Sequence, residues 1–212
     1  MKAGRFIAVG VAIGVAALGL DTLLQQTITA PTGPPPKPAA AAAKPATAAA
    51  FPVEEQPASA PHPTRIAIPE ISVDAPFTEV SLTPSGELDV PPADDPNLAG
   101  WYKDGPVPGD RGAAIVLGHV DTKKTTAVFW GLGALKPGNT VSVTRDDHMV
   151  AQFSVDSVEV FTKKDFPDEL VYGQTADARL RLITCGGSYD REHNDYTGNV
   201  VVFAHLLSLQ HE

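Results

Sequence analysis

Three residues in the second half of the chain have side chains that suit acyl transfer, and they lie at or near the ends of apolar runs. His119 follows the apolar run 113–117, Cys185 follows the run 180–183, and Arg191 lies six residues after the cysteine. A thiolate can attack a peptide carbonyl, an imidazolium can protonate the leaving amine, and a guanidinium can stabilise the oxyanion. Residues at strand ends project from a rigid scaffold into the loops, where sites are usually built. The pattern therefore predicts a cysteine acyl-transfer site.

Four residues near these three in sequence are candidate substrate contacts: Thr184, Gly186, Asp121 and Tyr196. Gly186 leaves the backbone open beside the thiol, so that a substrate chain can approach closely. Asp121 either orients the imidazole of His119 or caps a following helix. Tyr196 either lines a substrate groove or belongs to the aromatic core. The sequence leaves the alternatives for Asp121 and Tyr196 open.

Two arginines compete for the third place in the site. Arg181 lies four strand residues before Cys185, which corresponds to about 13 Å at about 3.3 Å per residue. Arg191 lies in a polar segment after Cys185, and a loop there can fold its side chain back over the thiol. We therefore predict that Arg191 is the catalytic arginine.

Cys185 is the only cysteine among the 212 residues. A single cysteine excludes an internal disulfide framework and a metal site with several cysteines, and no histidine has a zinc-like spacing with another histidine or with Cys185. We therefore expect no metal and no cofactor. A lone cysteine is most often a small buried hydrophobe. Its position after an apolar strand and before two glycines favours a nucleophile instead.

The elements that position these residues read as short strands separated by turns. Alternating or apolar runs rich in Val, Ile and Phe predict strands at 65–68, 113–117, 140–144, 149–160, 180–184 and 199–205. Turn sequences with Pro, Gly, Asp and Asn lie between them. Only residues 125–135 have room for a sizeable helix. Many short strands predict a mainly β fold, either a barrel or a sandwich.

Residues 1–30 predict an uncleaved signal-anchor. Lys2 and Arg5 precede a 15-residue apolar run, which Leu23 and Leu24 extend towards the length of a membrane span. Pro31 directly after the candidate cleavage site disfavours cleavage. The basic residues keep the N-terminus inside. We therefore expect a single-pass protein of the cell membrane whose remaining chain lies on the extracytoplasmic, cell-wall side.

Residues 31–63 are rich in Pro and Ala and predict a disordered, semi-rigid linker. Residues 64–212 predict the catalytic domain, with 12 basic and 22 acidic residues and a net charge of −10. An acidic domain lacks the clustered Lys and Arg that neutralise phosphates, so nucleic acid is excluded as a partner. Any membrane attachment must come from the N-terminus, and we expect a monomer.

The ordered set of motifs in this domain resembles the sortase family, most closely the actinobacterial class F sortases. The resemblance covers nearly all of residues 64–212. It is carried by the segments 68–76, 100–102, 108–110, 118–121, 166–167, 171–173, 180–187 and 199–204. The Thr-Cys pair after an apolar strand, with Gly-His upstream, is its most specific part.

This resemblance implies a closed eight-stranded β-barrel with short helices in the connections. It also implies cleavage of an LPXTG-like sorting signal between Thr and Gly through a thioacyl intermediate on Cys185. An amine, typically from the cell-wall precursor lipid II, would release the intermediate, so the implied partners are surface proteins with sorting signals and an amine acceptor. His119, Cys185 and Arg191 take the catalytic roles, although most sortases carry the arginine further along, on the strand after the cysteine.

Two alternative functions remain open. An L,D-transpeptidase-like cysteine enzyme of peptidoglycan would have a His just before the cysteine, where this chain has Ile183 and Thr184. A non-catalytic cell-surface binding module could retain the same fold. The positions of His119 and Cys185 separate the last alternative, because catalysis requires both side chains on one side of the fold.

Overall fold

Eight strands that close on themselves form the core of the protein. The structure, a computed structural model, describes residues 60–212 and the isolated Pro35. Its strands are β1 (Pro63–Ile68), β2 (Val73–Val80), β3 (Ala99–Tyr102), β4 (Gly112–Gly118), β5 (Thr140–Arg145), β6 (Met149–Thr162), β7 (Ala178–Asp190) and β8 (Asp195–His211). They follow the order β1-β2-β3-β4-β7-β8-β6-β5 around a closed barrel. The predicted mainly β, eight-stranded barrel is thus confirmed.

The helices of the described residues are short and lie in the connections, as predicted. The only α-helix there is α1 (Asp168–Tyr172), between β6 and β7, and 3-10 turns cover Pro69–Ile71 and Leu132–Ala134. Within residues 60–212 no helix is long and apolar enough to cross a membrane. The predicted signal-anchor lies outside the described residues, and so does the predicted linker except for Pro35 and residues 60–63. β1 begins at Pro63, the last residue assigned to that linker.

The parallel pair of β4 and β7 is the part of the barrel that matters most for the site. β2 and β3 also pair in parallel, whereas the remaining neighbours are antiparallel. Because successive side chains of a strand alternate between faces, β4, β7 and β8 each contribute to two apolar layers. Ala114, Val116, Leu180 and Leu182 belong, with Phe153, to the apolar core of the barrel.

The opposite face of β4, β7 and β8 carries a second apolar layer, which we call the outer layer. Its floor consists of strand residues, and residues from the connections cover it. The floor and cover together contain Val80, Ala113, Ile115, Leu117, Val171, Ile183, Val201 and Phe203, with Leu88, Tyr102, Phe161 and Phe166 packed against them. Since strands buried on both faces read as continuous apolar runs, this layer explains the unbroken hydrophobicity of residues 113–117.

All six predicted strands are present, but residues 125–135, which had room for a sizeable helix, do not form one. Only Leu132–Ala134 form a 3-10 turn there. The backbone N–H of Val128 donates to the carbonyl of Pro96, and that of Phe129 donates to the carbonyl of His119. These donors are therefore paired with neighbouring segments, so that a helical ladder cannot form, and Phe129 is fully buried in the barrel core.

Candidate functional site

The register of β4 and β7 brings His119 and Cys185 to the same end of the barrel. Leu117 of β4 pairs with Ile183 of β7 in parallel, and both belong to the outer layer. His119 and Cys185 each lie two residues further along. Continuing this register past Gly118, the last residue of β4, places them level on adjacent strands, which are about 4.8 Å apart. The period of two residues places Cys185 on the same face of β7 as the outer-layer residue Ile183.

The ring of His119 is anchored by a backbone carbonyl. His119 is half-buried, and its Nε2 lies 2.7 Å from the carbonyl oxygen of Pro91. A carbonyl oxygen only accepts, so Nε2 carries the proton and donates it to this bond. Pro91 in turn packs on Gly100 of β3, where a Cβ would lie 2.8 Å from the Pro91 Cγ. The second ring nitrogen, Nδ1, is left for proton exchange.

The thiol of Cys185 is half-buried and surrounded by charges of both signs. Burial raises its pKa above the ordinary cysteine value and is the largest effect. The ammonium group of Lys163 opposes this and lowers the pKa, whereas the carboxylates of Asp195 and Asp121 raise it further. In the free protein, therefore, the thiol form is favoured and the nucleophile forms only when protons are withdrawn.

Asp121 and Tyr196 form a hydrogen-bonded pair beside the thiol. The Tyr196 hydroxyl donates to Asp121 Oδ2 at 2.6 Å. Burial, followed by this bond to a carboxylate, raises the pKa of Tyr196, so the phenol stays neutral. Within residues 60–212 no α-helix begins directly after Asp121, and no hydrogen bond joins Asp121 to His119. Of the alternatives for Asp121, the helix cap does not exist, and its carboxylate faces Tyr196.

The side chain of Thr184 and the Cα hydrogens of Gly186 face the interior of the barrel. Both are buried. The Thr184 hydroxyl has no hydrogen-bond partner among the described residues, and a Cβ on Gly186 would lie 2.6 Å from Val200 Cγ2 in the interior. The lack of a side chain at Gly186 is therefore required by packing. Any substrate contact of these two residues would have to come from their backbone groups.

Comparison of the sequence with models of protein families shows to which family the chain belongs. The family model of the sortase domain matches residues 66–207. The chain belongs to the sortase family. Members of this family are cysteine transpeptidases, which agrees with a lone cysteine and a histidine at adjacent strand ends. No curated protein sequence matches the chain.

Solved sortase structures share the fold at low sequence identity. Sortase A from Listeria monocytogenes is similar with a TM-score of 0.54 and 20% identity, over 70% of this chain and 88% of that one. The SrtA sortase from Actinomyces oris gives 0.54 and 19%, over 76% and 88% of the two chains. The pilus-related sortase C of Group B Streptococcus gives 0.51 and 17%, over 69% and 68%. These likenesses concern the barrel.

The two arginines considered from the sequence take different positions in this sortase domain. Arg191 is exposed in the turn between β7 and β8, and its charge is not among those that act on the Cys185 thiol. Arg181 is 7% exposed in the outer layer, with its guanidinium 4.6 Å from the centre of the Phe203 ring. Burial lowers the pKa of Arg181 to about 10. Arg191 thus lies in an exposed turn, whereas Arg181 is buried against an aromatic ring.

Two residues near the site of this sortase were missed in the sequence. Pro91 lies in the long connection between β2 and β3, and nothing local indicates that its carbonyl meets His119. Lys163 directly follows β6, which extends two residues beyond the predicted end at residue 160. If the alternating pattern of β6 had been extended to the end of the strand, it would have placed Lys163 beside the residues of β8 that pair with the strand of Cys185.

Proposed function

We propose that the chain is a sortase transpeptidase that cleaves an LPXTG-like sorting signal between Thr and Gly and transfers the protein to an amine of the cell-wall precursor lipid II. We further propose that it is a class F sortase, on the motifs quoted above. The observation that carries the proposal is the parallel register of β4 and β7, in which Leu117 pairs with Ile183, two residues before His119 and Cys185 respectively. An acyl-transfer site needs this pairing of nucleophile and proton carrier.

In the first step the Cys185 thiolate attacks the carbonyl carbon of the signal's threonine. A tetrahedral oxyanion forms and collapses, so that the bond between this carbon and the glycine nitrogen breaks. His119, as imidazolium, gives its Nδ1 proton to the departing amine and becomes neutral, while Nε2–H stays on the Pro91 carbonyl. The product is a thioester between Cys185 and the threonine carbonyl.

In the second step an acceptor amine attacks the thioester. Neutral His119 takes a proton from the attacking nitrogen, the new amide bond forms, and the carbon–sulfur bond breaks. Cys185 leaves as a thiolate and His119 is again an imidazolium. The cycle conserves protons and needs no metal or cofactor. Arg191 is our candidate for a contact with the oxyanion, because the turn that carries it joins β7, the strand of Cys185, to the neighbouring strand β8.

The outer layer supports an apolar peptide as the substrate. Most of its side chains are buried, and its half-buried members, on which a peptide could lie, are Leu88, Tyr102, Phe161 and Phe166. Leucine and proline of a sorting signal would be bound by these half-buried side chains. Asp121 and Tyr196 form a hydrogen-bonded pair whose carboxylate acts on the thiol, and they are candidates to border the departing or acceptor amine.

We also propose that the protein is anchored in the cell membrane through residues 1–30, with residues 31–63 spanning part of the wall. The acidic domain, with a net charge of −10, would be repelled by anionic headgroups. A monomeric catalytic domain held away from the membrane suits a substrate that is itself attached to the surface.

The proposed function is tested with the full 212-residue chain in mild detergent and a panel of quenched fluorescent peptides. Peptides with LPXTG-like sequences are expected to be cleaved between Thr and Gly, and mass spectrometry with an added amine should find the amide of the threonine carboxyl. Scrambled peptides of the same composition are the control. Cleavage of tetrapeptide stems, with none of the sorting peptides, would support the L,D-transpeptidase alternative, and binding without turnover would support the non-catalytic module.

A further inference from the structure

The side of Cys185 that faces β8 and β6 carries a lysine whose position is defined by three strands. Cys185 of β7 pairs with Asn199 of β8, and Asn199 pairs with Phe161 of β6. This row of three residues spans two strand spacings, about 10 Å. Paired residues on adjacent strands project to the same face, and Phe161 packs against the outer layer. Asn199 and Phe161 therefore share the outer face with Cys185.

Lys163 continues this face beyond the end of β6. It lies two residues after Phe161, and its backbone N–H donates to the Thr197 carbonyl at 3.0 Å, so the antiparallel ladder with β8 still holds there. Its Nζ lies 2.6 Å from Asp195 Oδ2 at the start of β8. The ammonium group is thus held over β8, which separates β6 from the strand of the nucleophile.

Lys163 is the cation among the charged groups that shift the pKa of the thiol, and the imidazole of His119, which carries a proton in the reactive form, follows the neighbouring strand β4. Asp121 follows β4, Asp195 opens β8, and both are carboxylates that disfavour a thiolate. Tyr196 is neutral and bonded to Asp121. Strand β8 itself, from Asp195 to His211, contains no Lys or Arg. A thiolate and an oxyanion are both stabilised by a nearby fixed cation.

We propose that Lys163 supplies the fixed positive charge that stabilises the Cys185 thiolate, and that Asp195 positions its ammonium group. Lys163 is a positioning residue in this account, since it acts across β8 on the thiolate. The inference extends the proposed function, because it names the cation that the acyl-transfer site requires in its free state. Arg191 keeps a separate role as the candidate contact of the bound substrate's oxyanion.

The test measures the pH dependence of Cys185 alkylation by iodoacetamide in the full-length chain, without substrate. Lys163→Gln should displace the alkylation midpoint upwards by on the order of half a pH unit, which slows alkylation at neutral pH about three-fold. Lys163→Arg should restore the wild-type midpoint. The displacement should shrink in concentrated salt, because a partly exposed charge is screened. Lys164→Gln is the matched control, since it removes the same charge one residue away and should leave the midpoint unchanged.

The outcomes separate this inference from the proposed function. Equal midpoints in wild type and Lys163→Gln, with both chains folded by circular dichroism, would overturn it. So would a displacement in Arg191→Gln without one in Lys163→Gln. Because alkylation needs no sorting peptide, a failure of wild-type enzyme to cleave such peptides would overturn the proposed function and leave the result on Lys163 standing. If both hold, kcat/KM of Lys163→Gln should fall at neutral pH and recover as the pH is raised.

Discussion

The hydroxyl of Tyr196 donates a hydrogen bond of 2.6 Å to Asp121, and this bond links the segment after β4 to β8 beside the nucleophile. The carboxylate it holds is one of two that raise the pKa of Cys185. The pair therefore keeps the negative charge of Asp121 close to the Cys185 thiol, which must itself become a negatively charged thiolate. This placement makes the electrostatics of the site testable with substitutions that hardly change its shape.

Asp121→Asn should lower the pKa of the Cys185 thiol. The amide oxygen can still accept the bond from Tyr196, so the substitution removes the charge and keeps the geometry. We expect the alkylation midpoint to move downwards by on the order of half a pH unit. Tyr196→Phe is the comparison, because it removes the hydrogen bond and keeps the charge. An unchanged midpoint in Asp121→Asn would contradict the placement of this carboxylate near the thiol.

Peptide cleavage should have a bell-shaped pH profile. The reactive form carries a thiolate on Cys185 and a proton on His119, so activity is lost at low pH when both are protonated and at high pH when both are deprotonated. Burial raises the pKa of the thiol. The limb of the pH–rate profile that reports ionisation of the thiol should therefore lie at higher pH than for an exposed cysteine. The measurement is kcat/KM for an LPXTG-like peptide against pH. A rate that keeps rising after the thiol has ionised would show that protonated His119 is not required.

Gly100→Ala should loosen His119 without touching it. The new Cβ would lie 2.8 Å from Pro91 Cγ and 2.8 Å from Val80 Cγ1, so Pro91 must move and its carbonyl must shift from Nε2. Misplacement of a catalytic group by a fraction of an ångström costs about ten-fold or more in rate. The expected signature is an imidazole that loses its single Nε2–H form in nitrogen NMR, together with a reduced kcat. A wild-type tautomer in this variant would contradict the anchoring of His119 by Pro91.

Much of the barrel was predictable because its strands bury one or both faces, which leaves alternation or unbroken apolar runs in the sequence. Strand β2 was not predicted because Pro76 interrupts its sequence. In the structure Pro76 is part of the strand and pairs with Arg65 of β1. β3 was missed because four residues, one of them Gly100, are too short for a pattern. The prediction that His119 and Cys185 are partners came from motifs, and the strands that precede them, β4 and β7, are paired. The contacts of Pro91 and Lys163 depend on how distant segments fold together, and no local spacing encodes them.

Gly198→Ala should destabilise the fold where β6 meets β8. A Cβ at this position would lie 2.4 Å from the backbone carbonyl oxygen of Phe161, which cannot move without breaking the ladder. We expect a loss of about 2 kcal/mol in the free energy of unfolding, as for other overpacked positions. Gly138→Ala is the control, since a Cβ there meets no atom within 4 Å and only the φ of +89° opposes it. The free energy of unfolding is measured by denaturant unfolding. Equal losses of this free energy in Gly198→Ala and Gly138→Ala would show that the backbone at Phe161 moves to accommodate the new Cβ.

The central claim is that Cys185 is the nucleophile, and the most direct measurement is mass spectrometry of the full-length chain mixed with an LPXTG-like peptide and quenched with acid. The wild-type chain should carry an adduct with the mass of the peptide up to its threonine, and the adduct should disappear when an amine acceptor is added. Cys185→Ala should show neither the adduct nor peptide cleavage. An adduct on another residue, or undiminished cleavage by Cys185→Ala, would contradict the account.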